Sequence, residues 1–327
     1  MDLVIVRTRL QALIVRRMLI EKAISSPIHL VLLFNHDENT FEGGLDYQCE
    51  LLAPNVLKRT VISRPRMGFL SVFLHFFRLL ISARISSGSV FCASITWYPL
   101  ALALRIIPGL RLYTFDDGSA NVQQRESSYL TEMPSTHPGI AGWLARRLFP
   151  NGPAFFVRSR IARHWTIYPG MQNVASPDKT VHLPIEWRGL IASDDTIHLV
   201  PNIQHIYIGT ISDWVGRTGS RLINREIIDA AIRWSDLYIP HPREPNEPHP
   251  EISRKYPAET LIDYYAQAQR IIVAHHNSSA ALSFLDHPNV TLVDLCEADV
   301  STLLLGAHSL HLCKREDTET SPPLGDH

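Results

Sequence analysis

The chain has 327 residues, of which 45% are hydrophobic, 19% charged and 9% aromatic, a profile that leaves out disorder, collagen and coiled coil and gives enough length for two cores. Lys plus Arg number 31 and Asp plus Glu 32, for a formal net charge of −1, so the whole-chain charge points to no nucleic-acid partner. Residues 1–190 hold 21 basic and 13 acidic side chains while residues 191–327 hold 10 and 19, so halves of +8 and −9 lie behind that sum, and a basic half of this kind suits an anionic surface.

The first residues, Met1-Asp2-Leu3-Val4-Ile5-Val6-Arg7, lack the regions of a signal peptide and read as the first buried strand of a domain, so no secretion is expected. From there short apolar runs alternate with helical patterns: Leu3–Val6, a helix from about Gln11 to Ala23, His29–Phe34, Ser89–Ala93, a helix near Tyr98 to Ile107, and Arg111–Phe115. The rhythm restarts with Ile206–Gly209, a helix around Asn224 to Arg233, Leu237–Ile239, a helix around Ala258 to Gln269, Ile271–Ala274, a helix from Ala280, and Val290–Val293. Strands alternating with helices predict an α/β fold with parallel sheets, in two Rossmann-like domains over 1–190 and 191–327. The polar stretch Pro177–Pro201 reads as the linker, and Glu316–His327 as a polar tail. A cleft between two such domains, outside the carboxyl ends of their strands, is where a nucleotide ligand is expected.

The cysteines Cys49, Cys92, Cys296 and Cys313 form no CxxC pair, which fits a reducing cytoplasm. Between Leu51 and Phe115 there are eight basic residues and no Asp or Glu. Part of this stretch is the run Gly68–Ile81, rich in Phe and Leu but broken by His75 and Arg78, too short for a spanning helix of roughly 20 residues. It reads either as an interfacial helix on an anionic membrane or as a core helix with incidental arginines.

Four constellations could carry chemistry. Asp116-Asp117-Gly118 follows a strand, where α/β domains place functional groups; Asp-Asp-Gly is also a common turn. His241 stands between Pro240 and Pro242, with Arg243 beside it, a rigidly held histidine next to a permanent cation that suits a phosphate, or else a stiff surface loop. His275-His276-Asn277-Ser278-Ser279 leads into a helix, where a serine could serve as cap or the first-turn amides as an anion site. Ile208-Gly209-Thr210-Ile211-Ser212-Asp213 brings a carboxylate just past a glycine turn, as a general base or as a helix cap. Metal-ligand spacings such as HExxH, and the GxGxxG and GxxxxGK[ST] loops, do not occur, which disfavours metal chemistry, dinucleotide oxidoreductases and P-loop ATPases.

In this order, Leu3–Gln11, Thr114–Gly118, His164–Gly170, Gly209–Asp213, Pro240–Arg243 and Ser278–Leu282 resemble glycosyltransferase family 52, the bacterial lipooligosaccharide sialyltransferases. The resemblance implies a GT-B fold, with two Rossmann-like domains facing a cleft. It implies an inverting enzyme that moves sialic acid from CMP-sialic acid to a galactose-type sugar of a surface glycan, lipooligosaccharide or capsule, without cofactor or metal. It assigns Asp213 as general base with Asp117 and Asp116 as rivals, and His241 as general acid. Gly209, Pro242, Arg243, Glu259, Ser278 and Ser279 fall on the donor side, and Gln11 and Gly118 on the acceptor side. It further implies a cytoplasmic enzyme, peripheral at the inner membrane, able to form a domain-swapped homodimer through an extension near Pro65–Arg84.

Overall fold

The computed structural model describes residues 1–34, 52–63, 69–117, 122, 139–187, 202–209, 225–240 and 258–295, apart from single positions at 26, 87, 94, 97, 169, 186 and 277. The chain forms two compact units, Met1–Trp187 and Arg188–His327.

The first unit runs β1 (Asp2–Val6), α1 (Arg9–Ile20), β2 (Ile28–Phe34), β3 (Val56–Ser63), α2 (Phe69–Ile85), β4 (Ser89–Cys92), α3 (Tyr98–Ile106), β5 (Arg111–Phe115), α4 (Gly139–Leu148), α5 (Pro153–Ser159), β6 (Ile161–Thr166) and β7 (Thr180–His182). Its described strands form one parallel sheet in the order β3-β2-β1-β4-β5-β6-β7. This is the order of a doubly wound domain with one added edge strand, so the direction of winding reverses between β1 and β4. Parallel strands covered on both faces read as continuous apolar runs, and Leu3–Val6 and Leu30–Leu33 are buried without a break. Thr8 starts α1 by accepting the Gln11 N–H on its side chain at 3.3 Å, and Lys22, at φ 56°, lies just past its end.

One face of this sheet packs Leu3, Ile5, Val90, Cys92 and Leu112 against α2, α3 and α5. The Phe-rich run is therefore a core helix: Phe76, Leu79, Leu80 and Ala83 of α2 are buried there, while Leu74, Arg78 and Ile85 face outward. No helix among the described residues is long and apolar enough to cross a membrane. The expected linker needs correction. Thr180–His182 pairs with His164–Thr166 as the edge strand, and Leu183 and Trp187 are buried, so Pro177–Trp187 belongs to the first unit. A polar, proline-bearing segment suits an edge strand as well as a linker, since only one side of it is paired.

The second unit runs β8 (His205–Ile208), α6 (Arg225–Trp234), β9 (Leu237–Ile239), α7 (Ala258–Ala268), β10 (Ile271–His275), α8 (Ser279–Leu282) and β11 (Val290–Asp294). Its described strands are parallel in the order β11-β10-β8-β9, so the winding reverses between β8 and β10. Tyr207, Tyr238, Ala274 and Val293 pack against Ile227, Ile228 and Ile232 of α6. The helix expected from Ala280 is one turn, which ends in the short-range bond from the Phe284 N–H to the Ala281 carbonyl. The polar tail from Glu316 lies outside the described residues.

Phe76 is fully buried, so Phe76→Ala should cost about 3–5 kcal/mol and lower the melting temperature of the first unit by on the order of 10 °C, read by calorimetry. A variant that melts like the parent would mean that α2 does not hold this core together.

Candidate functional site

In the first unit the site is built around Asp116, which directly follows β5 and is completely buried. Its Oδ2 accepts the backbone N–H of Ile167 at 2.6 Å. Its Oδ1 accepts from Asn173 Nδ2 at 3.1 Å and from His164 Nε2 at 3.0 Å. The other ring nitrogen of His164 lies 2.8 Å from the Thr114 hydroxyl. Asn173 also donates to Thr166 Oγ1 at 3.0 Å, and its own oxygen takes the Val174 N–H at 2.6 Å. One carboxylate thus fixes the carboxyl ends of β5 and β6 and the chain from Ile167 to Val174. A buried charge is tolerated where each oxygen is met by donors.

Asp117, the next residue, is half-buried. The Nε2 of Gln11, a buried side chain in the first turn of α1, donates to Asp117 Oδ1. Gln11 Oε1 in turn accepts the Arg7 N–H at 2.7 Å, so the amide is locked in one orientation and spans from the end of β1 to the end of β5. Cys92, at the end of the intervening β4, has its thiol pushed up to about 12 by burial and, secondarily, by the negative charge of Asp117. The pair Asp116 and Asp117 therefore divides its work. The first carboxylate positions the strand ends, and the second stands where it can meet a ligand.

In the second unit, buried Gly209 follows β8 and donates its N–H to the Ile239 carbonyl at 2.8 Å. The strand ends that lead toward Asp213 and His241 are neighbours. Ser278 occupies the N-cap of α8 but its hydroxyl makes no capping bond; its backbone N–H donates to His275 Nδ1 at 3.3 Å. Capping thus does not account for this serine side chain. Glu259 lies half-buried in the first turn of α7. His276 is 7% exposed, stands edge-on to the Tyr207 ring at 6.0 Å, and neither ring nitrogen has a hydrogen-bond partner among the described residues. Burial pushes its pKa down to about 4, opposed by Asp294 and helped by His275. Burial also lowers His275, against the pull of Asp294.

Of the residues singled out from sequence, the structure joins Gln11 and Asp117 directly and places Asp116 beside them. Gly209 and Ser278 follow β8 and β10, the two strands that flank the winding reversal of the second unit, and Ser279 opens α8. Gly118, Asp213, His241, Pro242 and Arg243 lie outside the described residues. Sequence reasoning gave no role to Asn173, whose bond to Asp116 spans 57 positions, or to His164 beyond its motif. The position of His164 within a β-branched and aromatic run after a helix is the signal that was there to read.

A family model for glycosyltransferase family 52 matches residues 36–297, and the chain belongs to that family. An N-acetyllactosaminide alpha-2,3-sialyltransferase of Neisseria meningitidis serogroup A / serotype 4A (strain DSM 15465 / Z2491) is 28% identical over 160 residues, 47% of this chain. The match spans 39% of that enzyme's own length. Among solved structures, a UDP-N-acetylglucosamine 2-epimerase covers 90% of this chain and 68% of its own, at a TM-score of 0.40 and 10% identity. A glycosyltransferase from Rickettsia africae covers 93% and 69%, at 0.34 and 9%.

Asp116→Ala strands three donors inside the protein, at about 1–3 kcal/mol each, and should lower the melting temperature sharply, whereas Asp117→Ala strands the Gln11 amide and should lower it clearly less. Equal melting of the two variants would contradict the division of work described above. The lowered histidines set a pH dependence as well. The unfolded chain takes up protons below about 6.5 while folded His276 resists until about 4, so stability present at neutral pH is lost as pH falls through that window. The drop in melting temperature of the second unit between pH 7 and pH 4.5 should be smaller in His276→Phe than in the parent.

Proposed function

We propose that this member of glycosyltransferase family 52 is an inverting sialyltransferase that transfers sialic acid from CMP-sialic acid to a galactose-type terminal sugar of a bacterial surface glycan, lipooligosaccharide or capsule. The observation that carries the reading is Asp117: a half-buried carboxylate at the carboxyl end of β5, one strand from the winding reversal of its sheet, held in one orientation by Gln11. The Neisseria relative, an N-acetyllactosaminide alpha-2,3-sialyltransferase, suggests the substrate class.

The acceptor hydroxyl gives its proton to a carboxylate as its oxygen attacks the anomeric carbon from the face opposite the departing CMP, which inverts the centre. His241 protonates or hydrogen-bonds the leaving phosphate oxygen, and Arg243 balances its charge. Two carboxylates compete for the role of base, Asp213 by resemblance and Asp117 by its setting. Gly118 and Gln11 border the acceptor side. Gly209, Pro242, Glu259 and Ser279 border the donor, together with the Ser278 hydroxyl, which no capping bond engages. CMP leaves as a phosphate monoester, so the reaction asks for no divalent metal. We place the enzyme at the cytoplasmic face of the inner membrane, in peripheral contact through outward-facing Leu74, Arg78 and Ile85 of α2. We also propose a homodimer. A domain swap would have to leave Phe76 to Ala83 in their own core.

With purified protein, CMP-sialic acid and a lactose-type acceptor, His241→Ala should lose transfer by roughly 10² or more, and the same loss should follow at whichever of Asp117 and Asp213 is the base. Full activity in both aspartate variants, or in His241→Ala, would remove the residue concerned from the mechanism. Transfer should persist in EDTA, and calorimetry should find CMP bound more tightly than UMP or GMP; equal binding would point to a different nucleotide sugar.

A further inference from the structure

A cavity of about 880 Å³ opens on the first unit from the amino ends of β1, β4 and β5, whereas Gln11 and Asp117 lie past the carboxyl ends of β1 and β5. That volume is within the range of roughly 300–1,000 Å³ typical of small-molecule sites. We propose that it is a second binding site, for an acidic saccharide. The inference needs no assumption about the reaction catalysed elsewhere in the chain.

The floor is a packed aromatic cluster. Phe91 stacks on Tyr113 at 4.9 Å, and Trp165 tilts against both, at 5.9 and 5.7 Å. Phe91 and Trp165 are buried, and half-buried Tyr113 offers its ring to the cavity. An aromatic surface of this kind takes the apolar C–H face of a sugar ring.

Lys22, Arg111 and Arg163 outnumber the two acids of the wall, Asp2 and Glu21, and Glu21 is already paired. Asp2 Oδ1 accepts the Ser89 N–H at 2.8 Å, and Glu21 pairs with Arg17 at 2.6 Å. Arg111, Arg163 and Lys22 line the same cavity, and their side chains have no hydrogen-bond or ion-pair partner among the described residues. A pair of exposed guanidiniums beside an aromatic floor suits a carboxylate-bearing sugar, since the planar fork matches a carboxylate.

A register defect puts Arg163 there. Leu112 pairs with Ile161 but Tyr113 pairs with Arg163, so β6 carries one extra residue at Ala162. Without it, Arg163 would share the core-facing side of Ile161; the bulge turns it onto the side of Phe91, Tyr113 and Trp165. Bulges recur where a side chain must be re-aimed at a ligand. A lipid tail is a poorer occupant, because the large apolar side chains that both line the cavity and reach solvent are Met1 and Val181, on its rim.

The test is calorimetric titration of the full chain with a hyaluronan-type tetrasaccharide, which carries carboxylates, and with chitotetraose as its neutral counterpart. The acidic sugar should bind, weaken at least tenfold in the Arg111→Ala/Arg163→Ala double variant, and weaken with salt; chitotetraose should bind at least tenfold more weakly than the acidic sugar. Both guanidiniums are exposed, so the double variant should melt like the parent. The variant Asp117→Ala should keep full binding. The proposal is overturned by no binding of the acidic sugar, by unchanged binding in the double variant, or by equal binding of chitotetraose. It is equally overturned if Asp117→Ala abolishes binding, which would place the sugar in the catalytic centre, or if inorganic phosphate or anionic vesicles compete as well as the sugar does. None of these outcomes bears on whether the chain transfers sialic acid, which the transfer assay reads by itself.

Discussion

The carboxylate of Asp116 is the constraint on which the first unit's functional edge depends. It has no contact with solvent, and it is stable there because a backbone amide, an asparagine amide and an imidazole converge on its two oxygens. Removing any donor exposes the cost of the others, so the strand end, the loop after β6 and the first residues beyond β5 hold their geometry together or lose it together. Asp117 inherits its position from this arrangement. Its neighbour's bonds fix the backbone, and Gln11 fixes the side chain from the other side of the winding reversal.

The second unit solves a similar problem without a buried charge at the centre. His275 and His276 sit at the end of β10 as imidazoles that burial keeps neutral near pH 7, and Asp294, in register with His275, only partly offsets that burial. The two units therefore share a winding pattern and differ in what stabilises the ends of their strands. One relies on a buried carboxyl group with satisfied partners, the other on aromatic and imidazole packing around Tyr207 and Tyr238.

Most of the strand and helix pattern was legible because parallel strands buried on both faces leave uninterrupted apolar runs, as at Leu3–Val6, Leu30–Leu33 and Ile271–Ala274. What escaped was polar or marginal. Thr180–His182 looked like linker because an edge strand is paired on one side only, and Ile161–Thr166 carries arginine and histidine because one of its ends feeds the Asp116 cluster and its start is bulged. At the site, Asp116 and Asp117 were indistinguishable as letters. Their roles separate only once His164 and Asn173, 48 and 57 positions away, are brought against one of them. The Ser278 hydroxyl shows the converse: a residue type favoured for capping stands at the cap position and is not used that way.

Cys92 adds a consequence for how this edge can be observed. Its thiol is sealed beneath Asp117, with the proton held so tightly that almost no thiolate exists at neutral pH, and thiolate is the form that reacts. Alkylation at this position therefore requires the ends of β4 and β5 to part, so the rate of labelling is a built-in clock for opening of the strand edge, independent of any substrate.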